Sequence, residues 1–418
     1  MLCALRLVTT IFGGNGDMNN LEIASNLRRR SFHAMRIHRR FFRRKNKSAA
    51  LFAFVLCVAV GTVPVVAALS LERIRVPAGF SISVFATGVP NARQVTRSSK
   101  GIVYVGTRSA GAVYAVVDED ADYRADRVHK IADGLYMPSG VAYRNGTLYV
   151  AEVNRVLAFD EIDQRLDSPP EPRVVFDRLP QDSHHGWKFI AFGPDGKLYV
   201  PVGSPCNVCI VADPYGTILR LNLPDNNAEV VARGIRNSVG FAWHPFTGEL
   251  WFTDNGRDNM GDDTPPGELN RITKSGLHFG FPYIHGDDIV DVEYDKDAEI
   301  EFVKPALKLD AHVAPLGPLF YTGTQFPEAY RHDLFIAEHG SWNRSRKSGY
   351  RIMRVRFDSG GNITHYEPFA TGWLVGQSHW GRPVDLEQMP DGSILVSDDY
   401  AGVLYRISYG ETSGAGSE

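Results

Sequence analysis

Cysteine is scarce in this chain: four among 418 residues, two of which, Cys3 and Cys57, fall in the first sixty positions. Only "CNVC", Cys206–Cys209, is left for the rest of the protein. Ile210 stands where covalent attachment of a c-type haem requires His, so no haem is carried on this chain. Zinc would need two further ligands nearby; in an exported protein such a pair reads as a local disulfide. Basic charge is also thin where nucleic acid would demand it. Residues 1–48 hold eleven Lys/Arg and two acids of the 45 and 48 in the chain, so the remainder is acidic by about twelve charges. That disfavours a nucleic-acid partner. With 40 Gly and 24 Pro there is little room for long helices, and frequent turns between short strands are expected.

Long uncharged runs are equally rare, and the conspicuous one is "SAALFAFVLCVAVGTVPVVAAL", Ser48–Leu69, directly after the basic cluster "RIHRRFFRRKNK". A positive segment, an apolar segment and an Ala-rich end make an export signal. Residues 1–47 are expected to form a basic, disordered N-terminal extension, and 48–70 a signal peptide. The run is long enough to span a bilayer, so a retained membrane anchor through residues 49–69 is the alternative. The product is periplasmic or secreted, or held at the inner membrane. Residues 411–418 read as a flexible tail.

From about residue 75 one phrase recurs six times: an apolar strand, a Gly-containing turn, a second strand of the type Leu-Tyr-Val, then a third. The second strands begin near residues 102, 148, 198, 250, 334 and 394. Short strands at a period of roughly 45–60 residues are the sign of a propeller. The expected fold is therefore all-β: a six-bladed β-propeller over residues 75–410, with four-stranded antiparallel blades around a central channel. An insertion around His278–Pro305 separates the fourth and fifth phrases, and "FSISVFATG", Phe80–Gly88, completes the last blade. Residues just ahead of each first strand converge at one mouth of the channel. They include Arg93-Gln94, His184-His185, Arg236-Asn237, His312 and Gly381-Arg382, a ring rich in His and Arg.

These residues, with "HHGWKFIAFGPDGKLYV", "GIRNSVGFAWHPFTGELWFTDNGRDNMGDDTPPGELN", "HVAPLG", "EHGSWNR" and "GRPVDL", give the chain a resemblance to the soluble pyrroloquinoline-quinone (PQQ)-dependent sugar dehydrogenases, in the sorbosone dehydrogenase-like branch. The resemblance covers roughly residues 75–410 and implies oxidation of a sugar, or of a sugar-derived alcohol or aldehyde, with PQQ and Ca²⁺ as cofactors. His185, eight residues before the Gly of "GPD", falls on the general base. Arg236 and Asn237 fall on the pair that binds the quinone oxygens, Arg236 also stabilising the reduced cofactor. Gly256 and Arg257 fall on the positions whose main-chain carbonyls hold calcium, Arg382 on a carboxylate-binding Arg, and His312 on a cofactor-contacting Thr. Arg108 and Gln94 match channel residues more loosely.

The chain departs from the pattern at Leu135, Val239, Val384 and Gly340, where polar contacts of the glucose enzymes are missing. In "EHGSWNR", His339, Trp342, Asn343 and Arg344 are the candidate replacements. The run Asp254–Asn270 interleaves acids with Gly and Asn at a strand end, the oxygen-rich composition of a cation site. Asp262, Asp263, Glu268 and Asn270 are its candidate supporting ligands, whereas the insertion acids Asp287–Glu301 read as surface charge. Without haem, electrons leave to an external quinone or cytochrome. Two other readings stay open: a calcium-dependent lactonase-type hydrolase, which needs side-chain Glu/Asn/Asp ligands in the channel, and a non-catalytic glycan- or protein-binding propeller.

Overall fold

The computed structural model describes residues 69–294 and 300–410; the expected extension, most of the signal segment and the tail 411–418 lie outside them. Short strands pair antiparallel into six blade sheets, one for each repeated phrase; two two-stranded ribbons, Ile284–His285 with Ile289–Val290 and Leu374–Val375 with Ser378–His379, lie outside them. Blades 1 to 6 begin with innermost strands at Ala92–Arg97, Gly140–Arg144, Ala191–Phe192, Phe241–Trp243, Pro315–Phe320 and Pro383–Gln388. Their second strands start at Val103, Thr147, Leu198, Leu250, Leu334 and Ile394, within one residue of where the repeat puts them. The protein is a six-bladed β-propeller.

The core lies between successive blades, because each second strand has apolar side chains on both faces. Between blades 1 and 2, Tyr104, Val113 and Ala115 pack on Val141, Leu148 and Phe159. The ring closes as expected: Phe80–Thr87 is the fourth strand of blade 6 and pairs antiparallel with Val403–Tyr409, Phe80 opposite Tyr409. The Phe80 ring meets Phe326, Tyr330, Phe369 and Tyr409 edge-on, with centroids 4.7–5.1 Å apart. The seam therefore ties the first described strand to both blade 5 and blade 6.

Blade 3 carries a fifth, short strand, Leu277–His278, parallel to Asn227–Arg233. It opens the insertion, where one acid corrects the surface-charge expectation. Asp291 is buried and bonds Arg257 and, at 2.7 Å, His285.

The innermost strands of blades 1, 5 and 6 are interrupted by β-bulges spanning Arg93–Gln94, Leu316–Gly317 and Val384–Asp385. A bulge re-aims consecutive side chains. Arg93 and Leu316 are turned to one mouth of the channel, while Gln94 and Asp385 face its opposite half.

Phe80 is half-buried, so Phe80→Ala should cost about 2–4 kcal/mol, somewhat less than the roughly 3–5 kcal/mol of a fully buried ring. Urea unfolding checks it: an unchanged midpoint would show that the aromatic seam does not hold the ring closed.

Candidate active site

At the first mouth is a cavity of about 280 Å³. That is near the lower end of the roughly 300–1,000 Å³ of small-molecule sites. Four guanidiniums line it, from Arg93, Arg108, Arg236 and Arg382, with His184, His185, His312 and His339. The only lining carboxylate is Asp258. Such a wall suits an anionic ligand.

His185 sits at a φ of 50°, a left-handed conformation costly for a side-chain-bearing residue and found where a site over-determines it. Gly203 makes room: a Cβ there would lie 2.6 Å from that of His185. The His185 Nδ1–H donates to the Ser204 carbonyl at 2.8 Å, which leaves Nε2 as the lone-pair nitrogen, with no partner among the described residues. Burial, reinforced by the Arg236 charge and by His184, pushes the imidazole down to about 2, so it is neutral. His184 is exposed and its ring lies 4.1 Å from that of His185.

Arg236 is buried and nearly saturated. Its Nε donates to the Asn207 carbonyl (2.8 Å), Nη2 to Asn207 Oδ1 (2.8 Å) and Asp258 Oδ2 (3.0 Å), and Nη1 to the Asn255 carbonyl (3.1 Å). Of its five N–H groups, one on Nη1 is left. Beneath it the Asp254 carboxylate accepts the backbone N–H groups of Arg236 (2.9 Å) and Asn237 (2.7 Å), fixing the pair. The Asn237 amide has no hydrogen-bond partner among the described residues and lines the cavity.

On the far wall Asp399 bonds Arg93 (3.0 Å) and His339 Nε2 (2.8 Å). Burial alone would raise this carboxyl, but His339 and Arg93 hold it well below the usual range. Burial likewise pushes His339 down to about 4. Arg382 donates to the carbonyls of His339 (3.0 Å) and Gly340 (2.8 Å). Arg108 lies flat over Trp187 at 4.1 Å, its guanidinium free of hydrogen bonds and ion pairs to described residues. Burial and the adjacent Arg93 lower its basicity, a cost that a bound anion would relieve.

The site thus gathers His185, Arg236, Asn237, Gly256, His312, Arg382, Arg108 and Trp342. His312 donates through Nε2 to the carbonyls of Gly261 (2.7 Å) and Thr264 (3.0 Å). Trp342 stands at the rim, 71% exposed.

Other expected residues are elsewhere. The bulge turns Gln94 down the channel, where its amide bonds the Ile190 carbonyl and the N–H groups of Val141 and Ile190. Arg344 pairs with Asp263 (2.6 Å), and Asp262 accepts the Ser345 N–H (2.9 Å), so these three clasp the loop carrying Trp342 and do not line the cavity. The Arg257 side chain turns away to Asp291 and Glu293. Glu268 lines a small adjoining cavity of about 10 Å³ with Asp254, Gly256 and His285, and accepts from Asn270 Nδ2 at 2.9 Å. Burial and the Asp254 charge raise Glu268 to about 8. Asn270 Oδ1 is buried without a partner. No described residue donates to the carbonyls of Gly256 or Arg257.

The departures have local explanations. Val239 and Val384 pack together with Leu316 against Trp187, so two missing polar contacts become one apolar floor. Gly340 has φ 101° and a Cβ there would strike the Tyr350 ring at 2.3 Å, so no side chain fits. Cys206 and Cys209 form the expected disulfide. Trp187, beneath the Arg108 guanidinium, also lines the cavity. Asn207, Asp258 and Asp399 carried no sequence motif of their own. One signal was available: in an antiparallel pair, residues just after the second strand share a mouth with those before the first, which selects Arg108, Asn255, His339 and Asp399.

A solved structure of a Trichoderma reesei enzyme of carbohydrate-active family AA12, with calcium, shares the fold at a TM-score of 0.69 and 20% identity, over 80% of this chain and 97% of that one. The holo PQQ domain of Coprinopsis cinerea pyranose dehydrogenase gives 0.69 at 17% identity, over 80% and 97%. In sequence, an uncharacterized protein of Borreliella burgdorferi is 36% identical over 353 residues, 81% of this chain and 91% of that protein. The Coprinopsis pyranose dehydrogenase is 32% identical over 124 residues, 25% of this chain and only 16% of its own length. The family model for glucose/sorbosone dehydrogenase matches residues 146–406, more than half of the chain, and the protein belongs to that family.

Proposed function

We propose that the protein is an exported PQQ- and Ca²⁺-dependent dehydrogenase that oxidises a sugar, or a sugar-derived alcohol or aldehyde of the aldose or sorbosone type. The observation that carries the reading is the pairing, in one cationic cavity, of a neutral His185 with a free Nε2 and an Arg236 with one uncommitted Nη1–H. The residues fit a planar tricarboxylate. Arg382 and the unpaired Arg108 offer charge to carboxylates, Asn237 and Arg236 offer donors to quinone oxygens, and Val239 and Leu316 offer an apolar floor. His312 and Trp342 line the remaining wall.

When bound, PQQ supplies the two-electron acceptor and Ca²⁺ a hard Lewis acid beside it. The carbonyls of Gly256 and Arg257, which accept from no described residue, would be the oxygen donors for calcium, with Glu268 and Asn270 behind them; Asp262 and Asp263 are already engaged at the rim. His185 Nε2 takes the substrate hydroxyl proton, its ring oriented by the Ser204 carbonyl. Arg236 faces the oxygen on which negative charge develops. An external quinone or cytochrome would be the final acceptor of the electrons. A lactonase-type metal would need several Glu, Asn or Asp side chains in the channel; of those lining the cavity, Asp258 is bonded to Arg236 and Asn255 to the Asn237 and Pro315 carbonyls, which leaves Asn237. Export rests on the basic and apolar leader; no helix among the described residues is long and apolar enough to cross a membrane.

Titrating the apo-protein with PQQ should shift the cofactor absorbance, and EGTA should abolish the shift. His185→Ala should then lower kcat on an aldose panel by about 10²–10⁴ while leaving PQQ affinity within a few-fold. No PQQ uptake by the wild type, or an unimpaired His185→Ala, would sink the reading. In the apo-protein, ¹⁵N NMR should find His185 Nε2 unprotonated from pH 8 down to pH 5. Its folded value lies below the unfolded value of about 6.5. Protonation therefore favours the unfolded chain, and this group's contribution to stability is complete above pH 6.5 and declines as pH falls. An imidazolium signal at pH 6 would contradict the neutral base.

A further inference from the structure

The turn closed by the Cys206–Cys209 disulfide touches both reacting side chains, and the function argued above uses only the Ser204 carbonyl that opens it. Ser204, which opens the turn, donates its N–H to the Arg236 carbonyl (2.8 Å) and accepts His185 Nδ1–H at its own carbonyl (2.8 Å). Its hydroxyl lies 2.9 Å from Cys206 Sγ. Asn207, inside the disulfide ring, is more heavily committed. Its carbonyl accepts Arg236 Nε, and its Oδ1 accepts both Arg236 Nη2 and the Asp258 N–H, each at 2.8 Å. Its Nδ2 donates to the Asp258 carbonyl at 3.1 Å. One half-buried residue thus holds the guanidinium at two nitrogens, Nε through its main-chain carbonyl and Nη2 through its amide oxygen, and holds from both sides the backbone of the residue that supplies Arg236 with its ion pair.

We propose that Asn207, presented by the disulfide-closed turn, is the positioning residue that fixes the Arg236 guanidinium, and that opening the disulfide disables the site. Two physical points support this. An Arg side chain has four soft torsions; the Asp258 ion pair and the Nη1 bond to the Asn255 carbonyl hold its two terminal nitrogens, and the two bonds to Asn207 add the hold on Nε and a second hold on Nη2 that set its plane. The turn has no regular secondary structure, and the disulfide between residues three apart is the covalent tie that keeps Asn207 facing Arg236. Opening it requires a dithiol reductant. Two electrons and two protons pass to the S–S bond, giving two Cys thiols, and the reductant leaves as its own disulfide.

The inference rests on the role given to Arg236 above, so its test has a readout that needs no PQQ. In the apo-protein the Arg236 Nε–H, bonded to a carbonyl, should give a slowly exchanging ¹⁵N guanidinium resonance, assigned by its loss in Arg236→Lys. Asn207→Ala and the double variant Cys206→Ser/Cys209→Ser should each speed its exchange and weaken PQQ binding roughly 10–100-fold, the scale of an ångström-sized misplacement. Asn207→Asp, which keeps the acceptor, should recover at least part of both. Should a variant fail to fold, reduction of the folded wild type by dithiothreitol, reversed by reoxidation, replaces it with the same expectations. If the wild type binds PQQ and the variants and the reduced protein match it in affinity and exchange, the positioning role is overturned and the cofactor reading stands. If the wild type takes up no PQQ, that reading fails, and the exchange alone decides: faster in Asn207→Ala supports the clamp, unchanged refutes it.

Discussion

Antiparallel pairing is the constraint on which everything else in this protein rests. Where two neighbouring strands run in opposite directions, the beginning of the first and the end of the second lie side by side at one edge of the sheet. Six such sheets around a channel bring twelve chain segments to a single opening. Ala92 faces Thr107, Pro315 faces Glu338 and Pro383 faces Asp398, so Arg93, Arg108, His339, Arg382 and Asp399 become neighbours although they come from three blades. The ion pairs Arg93–Asp399 and His339–Asp399 follow from that geometry.

The repeat made the blades legible in the sequence, because a strand of the type Leu-Tyr-Val after a Gly turn leaves a periodic trace. The same trace located His185, Arg236 and Arg382 at the mouth. What it could not carry was anything decided by local deviation from the repeat. A bulge is one extra residue in an otherwise regular strand, with no composition of its own, and it separates Arg93, in the cavity, from Gln94, which braces the channel. Nor does an acidic run announce which member turns where. Asp258 meets Arg236, Asp262 and Asp263 hold the rim, and Glu268 is buried beneath.

The departures from the resemblance acquire a common cause in three dimensions. Val239 and Val384 are far apart in the chain but meet at Leu316, so the two changes together make an apolar surface where separate changes would leave a polar group stranded. At Gly340 the backbone itself forbids a side chain, and Arg382, bonded to the Gly340 carbonyl and set 5.4 Å from the Tyr350 ring, supplies positive charge beside it.

The seam gives the chain a direction in time. Phe80–Thr87 emerges first and its partner Val403–Tyr409 last, with five blades made in between. Until the final strand arrives, the early one is an open edge with unpaired amides and carbonyls, the kind of edge that invites pairing with the wrong chain. A chain made from its N-terminus therefore holds an incomplete ring until Val403–Tyr409 is in place, and the cavity at the mouth, which takes Arg382 from blade 6, is complete only then.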